Sequence, residues 1–343
     1  MQFLIYGANG YTGELIAREA ARRGLKPILA GRSREAIEPL ARELGFESRI
    51  FGVDAPRLEG VDVVLHCAGP FSRTSAPMVS ACLAAKVHYL DITGEIAVFE
   101  AVHARDAEAK RAGIALIPGV GFDVVPTDSV AAMLADQLPG ATELVLAFFS
   151  PGATLSRGTL TTMLEGIGEG GAIRRDGRIV RVPVAYDIRE IPFSYGPRTT
   201  MTVPWGDVST AFYTTGIPNI RVYTGVSPRT AKRMRRVRPF LPLLAHFPMK
   251  QILARVARRK QGPDATARTR GRSYIWGEVS DGARKVSMTM ETPEGYAFTV
   301  LSALAAVERM ALGDVPPGAW TPSRAFGKEF VLGIEGVSMS SRP

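Results

Sequence analysis

Short apolar runs alternate with amphipathic segments along the first third of the chain. The apolar runs have the length of buried parallel strands and lie at 3–6, 27–30, 48–53, 61–66, 87–90 and 114–117. The segments between them repeat apolar residues with a helical period at 14–23, 35–44, 76–85 and 97–111. This regular alternation predicts an α/β fold with a doubly wound parallel sheet of the Rossmann type.

The pattern becomes less regular after residue 125 and predicts a second domain of the α+β class. Helical periods occur at 128–137, 159–167 and 296–312, and extended runs at 143–150, 178–185, 199–203 and 220–223. Two further runs, 273–279 and 283–292, predict a hairpin that turns about Ser280, Asp281 and Gly282. Thr127 and Asp128 fit the N-cap of the first of these helices.

The segment 7–13, Gly-Ala-Asn-Gly-Tyr-Thr-Gly, joins the first predicted strand to the first predicted helix. Gly7 allows a tight turn, Gly10 lets a diphosphate approach the backbone, and Gly13 lets the helix pack close to the sheet. Free N–H groups and the helix dipole favour an anion here, so we expect the loop to bind a dinucleotide. Its other expected contacts are Asn9, Tyr11 and Thr12.

The end of the second predicted strand selects the cofactor. An NAD enzyme usually carries Asp or Glu at this position to hold the ribose 2′-hydroxyl, whereas this chain reads Gly31-Arg32-Ser33. Arg32 can pair with a 2′-phosphate or stack on adenine, and Ser33 can donate a hydrogen bond, which favours NADP. Alternatively, Arg32 is only a surface charge. Asp54 is a further candidate, either as an adenine contact or as a turn cap.

Small residues follow the fourth predicted strand, at the sheet edge where ligands bind in such folds. The cofactor candidates here are Ala68, Gly69, Pro70 and Phe71. We expect Cys67, His66 and His88 to be packed residues, because they lie in or beside apolar runs. The chain has two cysteines and no Cys/His cluster, so we expect neither a disulfide framework nor a metal site.

Asp123 follows the last predicted strand of the first domain, where the two domains should meet. A carboxylate in such a cleft can anchor a substrate or transfer a proton, and a turn or cap residue is the alternative. Asp123 is therefore the first candidate for a proton donor, and Tyr213 is the second. The candidate substrate contacts are Gly121, Phe122, Ser156, Thr159, Trp205 and Asp207.

An ordered series of motifs resembles a known family. The motifs are the loop 7–13, Ala-Gly-Pro-Phe at 68–71, His-Tyr-Leu-Asp-Ile-Thr-Gly-Glu at 88–95, Pro-Gly-Val-Gly-Phe-Asp at 118–123, Ser-Arg-Gly-Thr-Leu at 156–160 and Val-Pro-Trp-Gly-Asp at 203–207. Together they resemble the saccharopine dehydrogenase-like oxidoreductases, most closely the trans-acting enoyl reductase branch, over nearly the whole chain. Arg157 departs from the small residue expected before the Gly-Thr pair.

The resemblance implies an NADP-binding domain at 1–125 and a substrate or dimerisation domain with a mixed sheet at 126–294. It further implies that 295–343, with its long helix, packs back on the first domain. The implied activity is NADPH-dependent reduction of an enoyl C=C or a C=N bond in a lipid- or polyketide-like substrate. Two alternatives remain open: an amino-acid imine reductase of the saccharopine type, and an NADP-binding, membrane-associated adaptor without turnover. A homodimer is also compatible with this organisation.

The net charge of +9 is concentrated in one segment. Residues 208–263 contain no Asp or Glu and twelve Lys and Arg. Within this stretch, 227–260 combines cationic helical patterns with an apolar, proline-broken run. We interpret it as a lid that contacts an anionic membrane or an acyl carrier, with a solvated lid or a dimer contact as the alternative. Nucleic acid is not expected, because no aromatic residues are interleaved and no recognition module is present.

Composition and the N-terminal pattern complete the expectations. The 343 residues, with 46% hydrophobic and 22% charged side chains, suit a globular protein of two domains. Neither a signal-peptide pattern nor an apolar run of membrane-spanning length is present. We therefore expect a cytoplasmic protein that can associate peripherally with a membrane.

Overall fold

The first domain contains a seven-stranded parallel sheet. The computed structural model describes residues 1–165, 170–240 and 262–342. The strands of this sheet are β1 Phe3–Tyr6, β2 Ile28–Gly31, β3 Ser48–Ile50, β4 Val63–His66, β5 His88–Asp91, β6 Ala115–Ile117 and β15 Gly318–Ala319. Their spatial order is β3-β2-β1-β4-β5-β6-β15 and all neighbours are parallel, as in a Rossmann fold.

Helices cover both faces of this sheet, which confirms the predicted doubly wound architecture. They are α1 Tyr11–Arg22, α2 Arg34–Leu44, α3 Phe71–Ala85, α4 Ile96–His103, α5 Asp106–Ala112 and α11 Gly295–Met310. Successive residues of β1 point to opposite faces: Ile5 packs with α1, α2 and α11, whereas Leu4 packs with α3, α4 and α5. Because both faces are buried, the strand is apolar throughout.

The second domain contains a mixed sheet. Its strands are β7 Glu143–Phe149, β8 Gly171–Arg175, β9 Arg178–Val182, β10 Ile188–Phe193, β11 Gly196–Thr202, β12 Asn219–Gly225, β13 Arg272–Ser280, β14 Lys285–Pro293 and β16 Ser338–Arg342. The order is β10-β11-β12-β7-β13-β14-β16, and the β8–β9 hairpin joins β12. The pair β7–β12 is parallel and the other pairs are antiparallel, so the predicted mixed sheet is confirmed.

The remaining helices surround this second sheet. They are α6 Val125–Gln137, α7 Arg157–Glu165, α8 Asp207–Thr215, α9 Pro228–Val237, α10 Ala265–Arg270 and α12 Pro322–Phe326, with short 3-10 turns at Arg238–Phe240 and Phe330–Gly333. The apolar residues of α6 and α8 pack on one face of the sheet and form the second core. Because α6 follows the last loop of the first domain and packs on the second sheet, it holds that loop next to the second domain.

Most predicted elements are present, but several ends differ. The predicted helix 97–111 is two helices, α4 and α5, interrupted after His103. The helix predicted at 128–137 begins at Val125, so the N-cap assignment of Thr127 and Asp128 is wrong. Both side chains are buried and bond to groups outside the helix N-terminus, which explains their position inside the helix.

The C-terminal part of the chain is shared between the domains. As expected, α11 packs against α1, with Val300, Ala303 and Leu304 in the same core as Ile16 and Ala17. The sequence analysis assigned all of 295–343 to the first domain, whereas β16 pairs with β14 in the second sheet. The chain passes from the first domain to the second at the apolar 3-10 turn Phe330–Gly333, which packs into the second core before β16.

The predicted lid at 227–260 is described in part. The helix α9 begins at Pro228, and the Ser227 hydroxyl caps it by accepting from Thr230 N at 3.1 Å. Ala231 is buried, while the basic residues of the helix project outward. Residues 241–260 of the lid lie outside the described residues. Among the helices that the structure describes, none is long and apolar enough to cross a bilayer.

Candidate cofactor and substrate site

The loop 7–13 has a geometry that only glycine permits at two positions. Gly7 has φ +82°, and a Cβ there would lie 2.8 Å from the Cβ of Ala68. A Cβ on Gly13 would lie 2.3 Å from the carbonyl oxygen of Gly7. The loop is also fixed to the sheet, because Gly7 N donates to Ala30 O at 2.8 Å. This close approach brings the N-terminus of α1 to the sheet edge, where its free N–H groups fit a diphosphate.

A cavity of about 380 Å³ lies beside this loop, at the ends of β1 and β2. Its lining residues are Tyr6, Gly7, Asn9, Gly31, Arg32, Ser33 and Ala68. Five of these seven are cofactor contacts that the sequence predicts: Gly7, Asn9, Arg32, Ser33 and Ala68. No carboxylate is among the lining residues, and the exposed Arg32 supplies a positive charge. This cavity and the loop 7–13, together called the cradle, therefore fit the adenosine end of NADP. Arg32 is suited to the 2′-phosphate.

Ser33 lines the same cavity, and the charge of Asp54 acts on Tyr6, another lining residue. Burial raises the pKa of Tyr6, whose hydroxyl is close enough to feel the opposing charges of Arg32 and Asp54. The Ser33 hydroxyl donates to Glu35 Oε2 at 3.1 Å. Ser33 must change this partner to donate to a phosphate, so Arg32 is the stronger of the two candidate 2′-phosphate contacts.

The turn after β4 lies at the carboxyl edge of the parallel sheet, next to the glycine loop. The segment 68–71 leads directly into α3, and the backbone N–H groups of Phe71 and Ser72 each donate to the Glu95 carboxylate at 2.8 Å. Glu95 satisfies the start of α3 from the loop after β5, which stabilises the helix dipole. Sequence reasoning did not identify this role, because the two partners are 24 positions apart.

Asp91 connects the loops that follow β5 and β6. It is fully buried and accepts from Tyr89 OH at 2.7 Å, Thr93 N at 3.0 Å and Gly119 N at 2.9 Å. Burial raises the pKa of Asp91 to about 6, against the effect of these hydrogen bonds. Asp91 thus holds the start of the loop after β6, which carries Asp123 four residues after Gly119.

His66, Cys67 and His88 have the environments of packed residues. His66 is fully buried and burial lowers its pKa to about 3, so its ring is neutral. Burial also raises the pKa of the Cys67 thiol, which disfavours a reactive thiolate. His88 Nδ1 accepts from Ala115 N at 3.0 Å between neighbouring strands.

Asp123 lies between the two domains, as the sequence predicts. Its carboxyl packs against Gly94, where a Cβ would lie 2.4 Å from Oδ2, and its backbone carbonyl accepts from Trp205 Nε1 at 2.8 Å. Burial raises the pKa of Asp123 to about 7. A carboxyl with this pKa is present in both protonation states near neutral pH, which suits a general acid.

Asp207 lies behind the site wall and not on its surface. The side chain is fully buried and its Oδ1 is 2.8 Å from the hydroxyl of Thr127. Burial raises the pKa of Asp207 well above its ordinary value, and the nearby Asp128 and Asp123 carboxyls add to the effect. The sequence predicts Asp207 as a substrate contact, and its full burial favours a structural role, whereas its neighbour Trp205 is partly exposed.

Tyr213 is held in an interdomain network. Its hydroxyl donates to Glu100 Oε2 at 3.0 Å, and Glu100 Oε1 accepts from Ser209 Oγ at 2.6 Å and Arg174 Nη2 at 3.0 Å. The Tyr213 ring stacks on His103, with centroids 3.8 Å apart. Burial and the Glu100 charge raise the pKa of Tyr213 to about 12. This arrangement favours a structural role, and Asp123 becomes the better candidate for the proton donor.

Ser156 and Thr159 come together at the start of α7 around a residue that sequence reasoning missed. Tyr296 OH accepts from Ser156 N at 2.7 Å and lies 2.9 Å from Thr159 Oγ1. Its ring meets Tyr11 of the nucleotide loop edge to face, with centroids 5.1 Å apart. Tyr296 is more than a hundred positions from all three residues, so no local signal indicated it.

Gly121 and Phe122 contact Thr299 of α11, one turn after Tyr296. Phe122 N donates to Thr299 Oγ1 at 3.0 Å, and a Cβ on Gly121 would lie 3.0 Å from the Thr299 methyl group. The Phe122 ring packs edge to face against Phe148, which in turn contacts Trp205 with centroids 4.4 Å apart. An aromatic wall therefore extends from the β6 loop into the second domain.

A Rossmann sheet with a glycine loop after β1, joined to a second domain at its carboxyl edge, defines a dinucleotide-binding protein of two domains. Residues 3–117 match the family model described as the saccharopine dehydrogenase NADP binding domain. The first domain therefore matches the NADP-binding domain of the saccharopine dehydrogenases, and the chain is similar to saccharopine dehydrogenase-like oxidoreductases over about half its length.

Two relatives are similar to part of this chain. The chain is 28% identical to a saccharopine dehydrogenase-like oxidoreductase of Rattus norvegicus over 204 residues, 51% of this chain and 48% of the relative. It is 33% identical to a trans-acting enoyl reductase of Mycobacterium bovis over 138 residues, 36% of this chain and 33% of the relative. The chain thus spans about half or less of the length of these relatives.

The fold extends beyond the family match. Saccharopine dehydrogenase (L-Glu forming) from Saccharomyces cerevisiae has the same fold, with a TM-score of 0.68 over 100% of both chains at 11% identity. The likeness includes the second domain, which the family model does not reach. At this identity it establishes the architecture alone.

Proposed function

We propose that this protein is an NADPH-dependent reductase that acts on a C=C bond conjugated to a carbonyl group. The observation that carries the proposal is Asp123, a carboxyl with a pKa raised to about 7 at the carboxyl edge of an NADP-binding sheet. Conjugate reduction needs a proton as well as a hydride, and Asp123 can supply that proton near neutral pH.

The residues around the cradle divide the remaining tasks. A bound NADPH supplies the hydride. The loop 7–13 and the N-terminus of α1 hold its diphosphate, and Arg32 holds the 2′-phosphate. The turn 68–71 and the loop fixed by Asp91 would border a bound nicotinamide, and Asp123, whose carboxyl packs against Gly94, would protonate the substrate.

A lipid- or polyketide-like substrate suits the wall better than an amino-acid imine does. Phe122, Phe148 and Trp205 form a continuous aromatic surface next to Asp123. Apolar walls of this type bind acyl chains through burial of surface area. One relative is a trans-acting enoyl reductase, which supports the choice of an enoyl substrate.

We further propose that α9 contacts an anionic partner, either the headgroups of a membrane or the phosphate of an acyl carrier. The helix carries five exposed basic residues and no acidic one: Arg229, Lys232, Arg233, Arg235 and Arg236. Exposed Phe240 follows the helix directly. A cationic helix next to an exposed aromatic ring is suited to the edge of a lipid or acyl-carrying surface.

The test is consumption of NADPH with trans-2-dodecenoyl-N-acetylcysteamine, compared with NADH and with an imine formed from a 2-oxo acid and an amine. We expect turnover with NADPH and the enoyl thioester, and its loss in Asp123→Asn. Reduction of the imine alone would support an amino-acid reductase. Tight NADPH binding without turnover of either acceptor would support the adaptor, and no NADPH binding would contradict a cofactor role for the cradle.

A further inference from the structure

We propose that Tyr296 is a catalytic residue, whose hydroxyl donates a hydrogen bond to the carbonyl oxygen of the substrate. This inference rests on the proposed conjugate reduction and extends it to a residue of the second half of the chain. The observation behind it is the meeting of three distant segments at one phenol: the nucleotide loop, the start of α7 and the start of α11.

The position of Tyr296 is fixed from its own helix. Glu294 Oε2 accepts from Tyr296 N at 2.9 Å and from Ala297 N at 3.1 Å, which caps the start of α11. One turn later, Thr299 Oγ1 accepts from Phe122 N at 3.0 Å. The first turns of α11, which carry Tyr296, are therefore hydrogen-bonded to the loop that carries Asp123.

The side chain reaches toward the cofactor edge. The Tyr296 ring contacts Tyr11, the first residue of α1 and the residue that follows Gly10. Tyr11 is itself held from the second domain, because its hydroxyl accepts from Arg268 Nη1 at 3.0 Å and donates to Pro263 O at 2.5 Å. A dinucleotide bound at α1 therefore lies next to Tyr296.

The hydrogen bonds at the phenol leave its proton available. Ser156 N donates to the Tyr296 oxygen at 2.7 Å and fills an acceptor position of that oxygen, so the phenol proton remains free to be donated. Thr159 Oγ1, at 2.9 Å, accepts this proton when no substrate is present, or donates to the same oxygen. Since Tyr296 is only partly buried, a substrate oxygen can replace Thr159 as the acceptor.

This arrangement matches the charge that conjugate reduction creates. Hydride arrives at the β-carbon, the electron pair of the C=C bond moves toward the carbonyl, and the oxygen becomes an enolate oxygen. Tyr296 stabilises that oxygen by a hydrogen bond and keeps its own proton. Asp123 then donates a proton to the α-carbon, which gives the saturated product, so that one hydride and one proton are consumed. A donor aimed at developing charge strengthens in the transition state, which typically contributes about a hundredfold or more in rate.

The test compares Tyr296→Phe with the control Tyr195→Phe, a tyrosine that is 47% exposed on the second domain. With the dodecenoyl thioester, we expect kcat of Tyr296→Phe to fall roughly a hundredfold, KM to rise only a few-fold, and the dissociation constant of NADPH to stay within about twofold. The control should leave all three unchanged. An unchanged kcat for Tyr296→Phe would overturn the proposal, as would a parallel loss of NADPH binding and thermal stability, which would indicate a structural role.

A binding measurement separates this inference from the proposed function. The thioester is titrated into protein saturated with NADP⁺, where no reduction takes place. If wild-type protein reduces the thioester but Tyr296→Phe is unaffected in both assays, the inference fails and the function stands. If wild-type protein binds the thioester without reducing it, the function fails, and about fivefold weaker binding by Tyr296→Phe still supports the hydrogen bond. Absence of both binding and reduction in wild-type protein overturns both.

Discussion

The Oδ1 atom of Asp207 lies 2.8 Å from the hydroxyl oxygen of Thr127, which also lies 3.0 Å from the carbonyl oxygen of Val124. The Thr127 hydroxyl is the donor in both contacts and shares its one proton between the two acceptor oxygens. Burial raises the pKa of Asp207 well above its ordinary value, in agreement with a neutral acid at this position. Burial therefore favours the neutral form of the Asp207 carboxyl at the interface between α6 and α8.

Asp207→Asn should therefore become more stable relative to wild-type protein as the pH rises. The raised pKa means that folded protein holds a proton which unfolded protein releases, so wild-type stability falls above the ordinary pKa of the carboxyl. The difference in free energy of unfolding should widen by up to about 1.4 kcal/mol per pH unit. Denaturant titrations at several pH values measure it. Asp207→Ala should be destabilised at every pH; a pH-independent difference for Asp207→Asn would contradict a protonated Asp207.

The rate of reduction should fall as the pH rises through about 7. Asp123 acts as an acid, and its pKa is raised to about 7 by burial, so its protonated form is present below this value and lost above it. Above pH 7, kcat should decrease about tenfold per pH unit. Asp123→Asn should lose most activity and the residual rate should not follow this profile. Asp314→Asn is the matched control, because Asp314 is exposed and pairs with Arg309 at the surface.

Tyr213→Phe should lower stability without changing the pH profile. The substitution removes the hydrogen bond to Glu100 and leaves the ring stacked on His103, so the free energy of unfolding should fall by about 1 kcal/mol. Thermal denaturation and the pH dependence of kcat provide the two readouts. A hundredfold loss of kcat with unchanged stability would restore Tyr213 as the proton donor.

Arg32→Asp should exchange the cofactor preference. The substitution removes the positive charge from the adenosine cavity and introduces a carboxylate that repels the 2′-phosphate but accepts from a ribose hydroxyl. We expect NADPH to bind roughly tenfold to a hundredfold more weakly and NADH more tightly, measured by nicotinamide fluorescence. Arg34→Asp, one helix position beyond the cavity, should retain the preference for NADPH. An unchanged preference in Arg32→Asp would place the 2′-phosphate elsewhere.

Binding to anionic vesicles should depend on α9. Each exposed basic residue contributes about 1 kcal/mol near such a surface, so reversing Arg233 and Arg236 to Glu should weaken binding more than tenfold. Vesicles of phosphatidylserine and phosphatidylcholine, compared at low and high salt with pure phosphatidylcholine, measure the effect. The matched control reverses Arg42 and Arg57, which are exposed on the first domain. Equal losses in both variants, or binding that salt does not weaken, would exclude α9 as the contact.

The sequence predicts the first domain well because its signals are local. Each strand of the Rossmann sheet is a short apolar run, and Gly7 and Gly13 occupy the positions where a Cβ would collide. The cavity accordingly contains Arg32 and Asn9, which were inferred from spacing alone. The ends of helices were less accurate, since α3 begins at Phe71 with a cap from Glu95 that no nearby residue indicates.

The second-domain site is harder to predict because its partners are distant in sequence. Tyr296 meets Ser156 across 140 positions, and Tyr213 meets Glu100 across 113. A tyrosine in a long apolar helix has the pattern of a core residue, and only the fold shows that its hydroxyl reaches another helix. Asp207 has the sequence neighbourhood of a pocket residue, but full burial places it behind Trp205.

The parallel sheet is complete only when its edge strand β15 has been added, and the helix that packs on α1 is α11. A fragment ending at residue 125 would therefore leave Ile16 and Ala17 exposed to water and β6 without its neighbour at the sheet edge. During synthesis, the nucleotide-binding half has to remain incomplete until the second domain has been made. A chaperone or the second domain itself must shield that apolar surface in the interval, so premature truncation should yield aggregation before it yields a smaller NADP-binding protein.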